Sequence, residues 1–332
     1  MRKLLFAVLI MTGMVSCNSF KINVNLENSN GKTVYLQRYD GSEMKTLDSV
    51  VAKDNQAVFK VKQSDNTDAY CIMMKGWKRP LTLFADNNDV MINGDYQKYN
   101  GITVTASESQ EKLNAFMKGV NEIEDEQEIH YYVLDFVKQN IDNPIASYAL
   151  YRYKWSFDLN DLRNLMEVMP KDMKSAYKDL VVLYMKGLEM TEVGMPFIPF
   201  TQKDVNGEDF NMKDIIGQSK IIILDFWASW CPDCRKENPG LVAIYNEFKN
   251  KGLDIVSVSL DVDEAAWKKA IADDNLSWKH HVSDLKGWAN EAAGLYTIAY
   301  IPQNLVIDEN GIIIKKNVPS ERLKELLVSL LN

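Results

Sequence analysis

Apolar positions change period along the chain. Between residues 20 and 105 they fall in short runs: Phe20 to Leu26, Thr33 to Gln37, Ala57 to Val61, Tyr70 to Met74, Leu81 to Phe84 and Val90 to Ile92. Gly and Asn turns separate these runs, the pattern of a small antiparallel β-sandwich. Between 106 and 190 the spacing lengthens to three and four. Helices are predicted over Glu111 to Ile123, Glu128 to Gln139, Ile145 to Tyr153, Leu159 to Met169 and Lys171 to Met190. From 191 to 332 strand and helix patterns alternate, as in an α/β domain. Ile221 to Phe226 and Leu253 to Leu260 read as buried strands. Glu264 to Asp273 reads as a helix with Ala266, Trp267, Ala270 and Ile271 turned inward. Asn304 to Asp308 and Ile312 to Lys316 read as strands joined at Glu309-Asn310-Gly311, a hairpin turn signal. Ser320 with Glu321, then Leu323, Leu326, Leu327 and Leu330, predicts a capped closing helix. The domains are therefore placed at 17–105 (β-sandwich), 106–190 (helical region) and 191–332 (α/β). No internal repeat or low-complexity stretch interrupts them.

The chemistry is concentrated at one junction. Trp230-Cys231-Pro232-Asp233-Cys234 follows the apolar strand directly and opens a helical pattern with Leu241, Ile244, Tyr245 and Phe248 on one face. Pro239 should kink that helix, and Lys251-Gly252 should stop it. The first thiol of such a pair sits where unpaired backbone N–H groups point outward, and their partial positive charge favours thiolate. Cys231 is thus the candidate attacking sulfur, and Cys234, one turn inward, the candidate resolving sulfur. Strand–helix–strand followed by hairpin–helix is the thioredoxin order.

The segment Ile222 to Glu237 resembles the active site of the TlpA/ResA-like thioredoxin-fold family. Tyr300-Ile301-Pro302, just ahead of a strand, resembles the family's cis-proline loop, and Gly194-Met195-Pro196 through Phe210 its lead-in. The resemblance covers residues 191–332. It implies a thiol-disulfide oxidoreductase in which Trp230, Pro232, Ile301 and Pro302 meet the substrate, with no metal or organic cofactor. Residues 20–105 resemble the β domain that precedes the redox domain in TlpA-like lipoproteins of Bacteroides-type bacteria.

Two acids acquire roles. Asp225 lies inside an apolar strand, where an unpaired charge is costly. Burial would raise its pKa and let it carry a proton. It resembles the buried acid of thioredoxins that helps deprotonate the resolving cysteine. Glu237 shares a helix face with Cys234 and resembles an acid of the ResA-like subgroup near the cysteine pair. Its alternative is a solvated residue pairing with Arg235 or Lys236. Asp233 adds negative charge in the first helical turn, which disfavours thiolate on Cys231. The expected potential is nearer thioredoxin's about −270 mV than the about −120 mV of strong oxidants.

Other uses of the cysteines fit less well. Zinc wants four ligands, yet there are three histidines and no second Cys-x-x-Cys. A peroxiredoxin would need threonine at Ala228. His280-His281 is expected to cap or to face solvent. Cys71, in a strand-like run, reads as a buried inert thiol. The aromatics Tyr148, Tyr151, Tyr153, Trp155 and Phe157 read as helix-packing core, with a peptide-docking surface as the alternative. Trp77-Lys78-Arg79-Pro80 reads as a turn, or as a contact loop.

The first residues bear on the compartment. Arg2-Lys3 precedes the apolar run Leu4 to Met14, the layout of a secretory signal. Met14-Val15-Ser16-Cys17 resembles a bacterial lipobox, with residues 1–16 removed and Cys17 lipidated. The alternative is a plain signal-peptide cysteine. Multiple acyl chains would anchor the protein stably to a membrane, in the cell envelope, facing the periplasm. Loss of Arg2 and Lys3 from 38 basic residues against 46 acidic ones takes the balance from −8 to −10. That disfavours nucleic acid and leaves no polybasic membrane patch.

The implied function is a membrane-anchored reductase of disulfides in exported proteins, for example cytochrome c precursors, recharged by a membrane thiol-electron donor. Two alternatives stay open: a disulfide oxidase or isomerase, and an envelope ligand-binding protein in which the redox pair is secondary.

Overall fold

The computed structural model describes residues 19–39, 43–64 and 68–331. Cys17 and the signal segment lie outside them. The chain divides into two compact units. One runs to Ser156 and includes Glu167–Leu180; the other comprises Phe157–Met166 and the chain from Val181.

The first unit opens with β1 (Ser19–Glu27), β2 (Thr33–Tyr39), β3 (Met44–Val51), β4 (Gln56–Lys62), β5 (Tyr70–Met74), β6 (Leu81–Leu83), β7 (Val90–Asp95) and β8 (Thr103–Thr105). They form two four-stranded sheets, ordered β4-β1-β7-β8 and β3-β2-β5-β6. In β1 the period of two turns Phe20, Ile22, Val24 and Leu26 inward. They join Val34, Leu36, Ile72 and Met74 of the other sheet in one core. The sandwich is not wholly antiparallel: β1 pairs antiparallel with β4 but parallel with β7. Sequence periodicity did not reveal β3, because its residues are largely exposed and Lys45 and Asp48 interrupt the apolar pattern. It is an edge strand, where charges discourage further pairing.

The helices that follow are α1 (Glu108–Val120), α2 (Glu126–Gln139), α3 (Pro144–Arg152), α4 (Leu159–Val168) and α5 (Ala176–Met190). Ser107, Asp125 and Asn143 cap the first three through their side-chain oxygens, and Pro144 opens α3. The last helix begins at Ala176 rather than Lys171. The buried carboxylate of Asp68 fixes that start by accepting hydrogen bonds from the Ala176 amide (2.6 Å) and the Ser175 hydroxyl (3.2 Å). Tyr148 and Tyr151 pack on Tyr177 at 4.9 and 5.6 Å between ring centroids, and Tyr153 packs on Phe116. These three rings are partly buried and pack against other aromatic rings of the unit. Trp77 lies in a turn against Tyr96 and Tyr99, and its indole N–H donates to the Tyr96 carbonyl. Cys71 is buried, which pushes its thiol up to about 11.

The second unit contains β9 (Thr201–Asp204), β10 (Asp209–Asn211), β11 (Ile221–Trp227), α6 (Pro232–Phe248), β12 (Leu253–Ser259), α7 (Glu264–Asp273), β13 (His280–Ser283), α8 (Glu291–Leu295), β14 (Gln303–Asp308), β15 (Ile313–Lys316) and α9 (Ser320–Leu331). One seven-stranded sheet runs β10-β9-β13-β12-β11-β14-β15. β11 is central, parallel to β12 and antiparallel to β14. Every residue of β11 is buried, so it reads as a continuous apolar run broken only by Asp225. α6 continues over Pro239 and ends before Gly252, whose φ of 108° the turn into β12 requires.

Several details differ from expectation. His280 and His281 lie in β13. His281 is buried, holding it neutral with its pKa lowered to about 4, and His280 contacts Asp254 at 3.3 Å. Neither caps a helix or faces solvent freely. Ala266 is exposed, and the inner stripe of α9 is Leu323, Leu327 and Leu331, with Leu330 outward. Among the described residues no helix is long and apolar enough to cross a membrane.

Candidate active site

The site grows from the carboxyl end of β11. The strand is pinned between two neighbours, so the chain leaves it at a fixed point and turns through Ala228–Trp230 into α6. Cys231 is the N-cap of that helix, with Pro232 in its first turn, where a missing N–H costs nothing. The Cys234 amide donates to Cys231 Sγ at 3.1 Å. Cys231 and Cys234 are joined as a disulfide, with their Cα atoms 5.3 Å apart. Cys234 is more deeply buried than Cys231, so the two sulfurs differ in access as well as in sequence position.

The entry turn is held by residues whose partners lie far away in sequence. Asp261 is buried just past β12 and accepts from the Ser229 amide at 2.9 Å and the Ser259 hydroxyl at 2.7 Å. Arg235, on the first turn of α6, donates to the Ser229 carbonyl at 3.2 Å and forks onto Asp274 beyond α7. Asn238 donates to the same carboxylate. Burial pushes Asp274 up, but the bonds from Arg235 and Asn238 outweigh it and hold the carboxyl below its ordinary range. Arg235 therefore pairs with Asp274, leaving Glu237 to another partner.

Glu237 reaches across to α9. Its Oε2 accepts from the Ser320 amide at 3.0 Å and so satisfies one of the unpaired donors of that helix. The pairing with Arg235 or Lys236 is therefore replaced by a bond to the start of α9. Glu237 nevertheless repels charge on Asp225.

Asp225 is 4% exposed. By register it stands beside Ser257 of β12 and Asn304 of β14, on the same face of the sheet. The Ser257 hydroxyl donates to Asp225 Oδ2 at 3.1 Å, and the Trp278 indole donates in turn to Ser257 Oγ at 3.0 Å. Asn304 is committed instead to the Val318 backbone. Burial raises Asp225 to about 7; the single bond from Ser257 opposes this and Glu237 adds to it. The signal that could have revealed Ser257 is a polar residue between Val256 and Val258 in a buried stretch of β12.

The opposite wall is the loop before β14. The Ile301–Pro302 peptide bond is cis, and the Ile301 carbonyl oxygen lies 3.7 Å from Cys231 Sγ. Upstream, Thr297 has φ of +57°, an uncommon conformation for a β-branched residue. Gly187 of α5 makes room for it: a Cβ there would fall 2.1 Å from Thr297 Oγ1. Trp230 is half exposed, its indole N–H donating to the Leu260 carbonyl at 3.3 Å. The structure thus gathers Cys231, Cys234, Trp230, Pro232, Ile301 and Pro302 at one edge, with Asp225 buried in the sheet. Among the described residues no group of three or more His, Cys, Asp or Glu side chains could hold a metal ion.

The sequence is similar to known proteins in both parts of the chain. Residues 193–316 match the AhpC/TSA family, and residues 20–113 match a domain of unknown function, DUF4369. Thiol-disulfide oxidoreductase ResA of Bacillus cereus is 30% identical over 139 residues, covering 42% of this chain and 76% of that protein. The chain belongs to the ResA family of thiol-disulfide oxidoreductases. Sporulation thiol-disulfide oxidoreductase A of Bacillus subtilis is 29% identical, covering 44% of this chain and 88% of that protein. The thioredoxin domain of a thiol-disulfide oxidoreductase from Bacteroides vulgatus is 33% identical, covering 42% of this chain and 99% of that structure, with a TM-score of 0.40. This ResA-type protein carries its redox pair at Cys231 and Cys234.

The raised pKa of Asp225 makes stability depend on pH. Between about 4 and 7 the folded oxidised protein keeps a proton that the unfolded chain releases, so stability falls as pH rises through that window. Asp225→Asn removes this cost. In urea denaturation its stability gain over wild type should grow by on the order of 2 kcal/mol between pH 5 and pH 8. A gain independent of pH would contradict a buried, titrating carboxyl.

Proposed function

We propose that the protein is a lipid-anchored reductase of disulfides in exported proteins, cytochrome c precursors among them. The observation that carries this reading is the cysteine pair at the N-terminus of α6, flanked by the Ile301 carbonyl and by a buried acid whose pKa lies near neutrality.

In the reduced protein, the Cys231 thiolate attacks one sulfur of a substrate disulfide. A mixed disulfide forms, and the other substrate sulfur leaves as thiolate and takes a proton. Helix N-terminal amides, the Cys234 N–H first among them, stabilise the Cys231 thiolate. The exposed Trp230 and Pro232 and the Ile301-Pro302 loop orient the incoming chain. Asp225 accepts the Cys234 proton, and Glu237 supports that step by repelling charge on Asp225 while fixing α9. The Cys234 thiolate then attacks Cys231 Sγ. The substrate leaves as a dithiol, reduced by two electrons, and the enzyme is left as the Cys231–Cys234 disulfide. A thiol-electron donor in the membrane returns the two electrons. Asp233 supports the reducing direction, because its charge in the first turn of α6 opposes accumulation of thiolate.

Anchoring rests on the signal-like segment and on Cys17, and it places the enzyme on the extracytoplasmic side of the membrane. Cys17→Ala should release the protein from the membrane fraction; a variant that stays fully membrane-bound would refute lipid attachment there. The reductase cycle is tested by trapping. Cys234→Ser should accumulate mixed disulfides between Cys231 and exported proteins, collapsing on addition of dithiothreitol, whereas Cys231→Ser should form none. Equal yields from the two variants would contradict the assignment of attacking and resolving sulfurs.

A further inference from the structure

Trp230 is 50% exposed, Trp288 54% and Val262 70%. Trp230 immediately precedes the attacking cysteine, Trp288 stands beside Trp230, and Val262 lies against Gly287, the residue before Trp288. The indoles of Trp230 and Trp288 have ring centroids 6.3 Å apart and planes 54° apart, so they form an open V in which neither ring covers the other. Trp288 belongs to a single 3-10 turn, Gly287–Ala289. Gly287 has φ of +59°, and a Cβ there would stand 3.1 Å from Val262 Cγ1. Glycine at this left-handed position lets the turn approach the Val262 side chain closely without strain.

Hydrogen bonds position Trp230 and the turn that carries Trp288. Trp230 is anchored through its indole N–H to the Leu260 carbonyl. The turn bearing Trp288 is fixed by the buried Asn290, which bonds Asp284, Gln202 and the Ser259 carbonyl. Two ordered, solvent-facing indoles leave apolar area exposed that the fold does not use. Such patches mark interaction surfaces, and tryptophan is enriched among residues that dominate binding energy. The patch is continuous with the redox site, since Trp230 immediately precedes Cys231.

We propose that Trp230, Trp288 and Val262 form a docking surface that selects polypeptide disulfides with a large apolar side chain next to the attacked cysteine. The proposal rests on the reductase reading above and adds a substrate preference to it. The occupant is a segment of the substrate chain: its cysteine meets Cys231 and its neighbouring side chain enters the V between the indoles. Preorganised aromatic walls bind such a side chain without first paying to order themselves.

The test uses two synthetic disulfide-bridged peptides, one with phenylalanine and one with serine beside the attacked cysteine. The readout is the ratio of their kcat/KM values with the reduced full-length protein. Wild type should favour the phenylalanine peptide by roughly tenfold. Trp288→Ala should abolish most of that preference, and Trp288→Phe, which restores an aromatic wall, should recover much of it. An unchanged ratio in Trp288→Ala, or equal wild-type rates on the two peptides, overturns the docking surface while leaving the reductase reading intact. A wild-type protein that reduces neither peptide overturns both.

Discussion

The site depends on one constraint: β11 delivers the chain to the N-terminus of α6 at a fixed point. The strand is buried along its whole length and locked between β12 and β14. Its last residues therefore cannot slide, and the turn that follows must place Cys231 at the helix N-cap with the Cys234 amide aimed at its sulfur. Asp261, Arg235 and Asp274 remove the remaining freedom from that turn. Because the cis Ile301–Pro302 loop enters β14, the strand beside β11, the same sheet also sets the distance between Cys231 and the Ile301 carbonyl.

The acid in β11 works against this stability. A carboxyl at position 225 interrupts an apolar strand and receives one side-chain hydrogen bond, from Ser257. A valine or leucine would pack there at no electrostatic cost. A buried acid with its pKa near neutrality is the group that the proposed proton transfer from Cys234 would use. Glu237 accentuates this while fulfilling a structural duty at the start of α9, so one side chain links the closing helix to the electrostatics of the buried acid.

Much of this was legible in the sequence. Strands with a clear apolar pattern, such as the alternating β1 and the continuous β11, follow directly from that pattern, and the Cys-x-x-Cys junction announces its chemistry. What escaped is of two kinds. Elements without an apolar signal escaped, such as β3, an exposed edge strand, and β13, whose two histidines disguise it. Partners distant in sequence escaped as well. Glu237 with Ser320, Arg235 with Asp274 and Trp230 with Trp288 become neighbours only once the sheet brings their loops together, and no local pattern encodes them.

If Cys231–Cys234 works as a reductant, its potential must lie toward the thioredoxin end of such couples. The most direct test is the potential of Cys231–Cys234 in a soluble form lacking residues 1–17, equilibrated in dithiothreitol and glutathione buffers and read by thiol trapping. A reductase should show a value below about −220 mV at pH 7, on the thioredoxin side of such couples. A value above about −160 mV would contradict the reductase reading and make the protein an oxidant or isomerase.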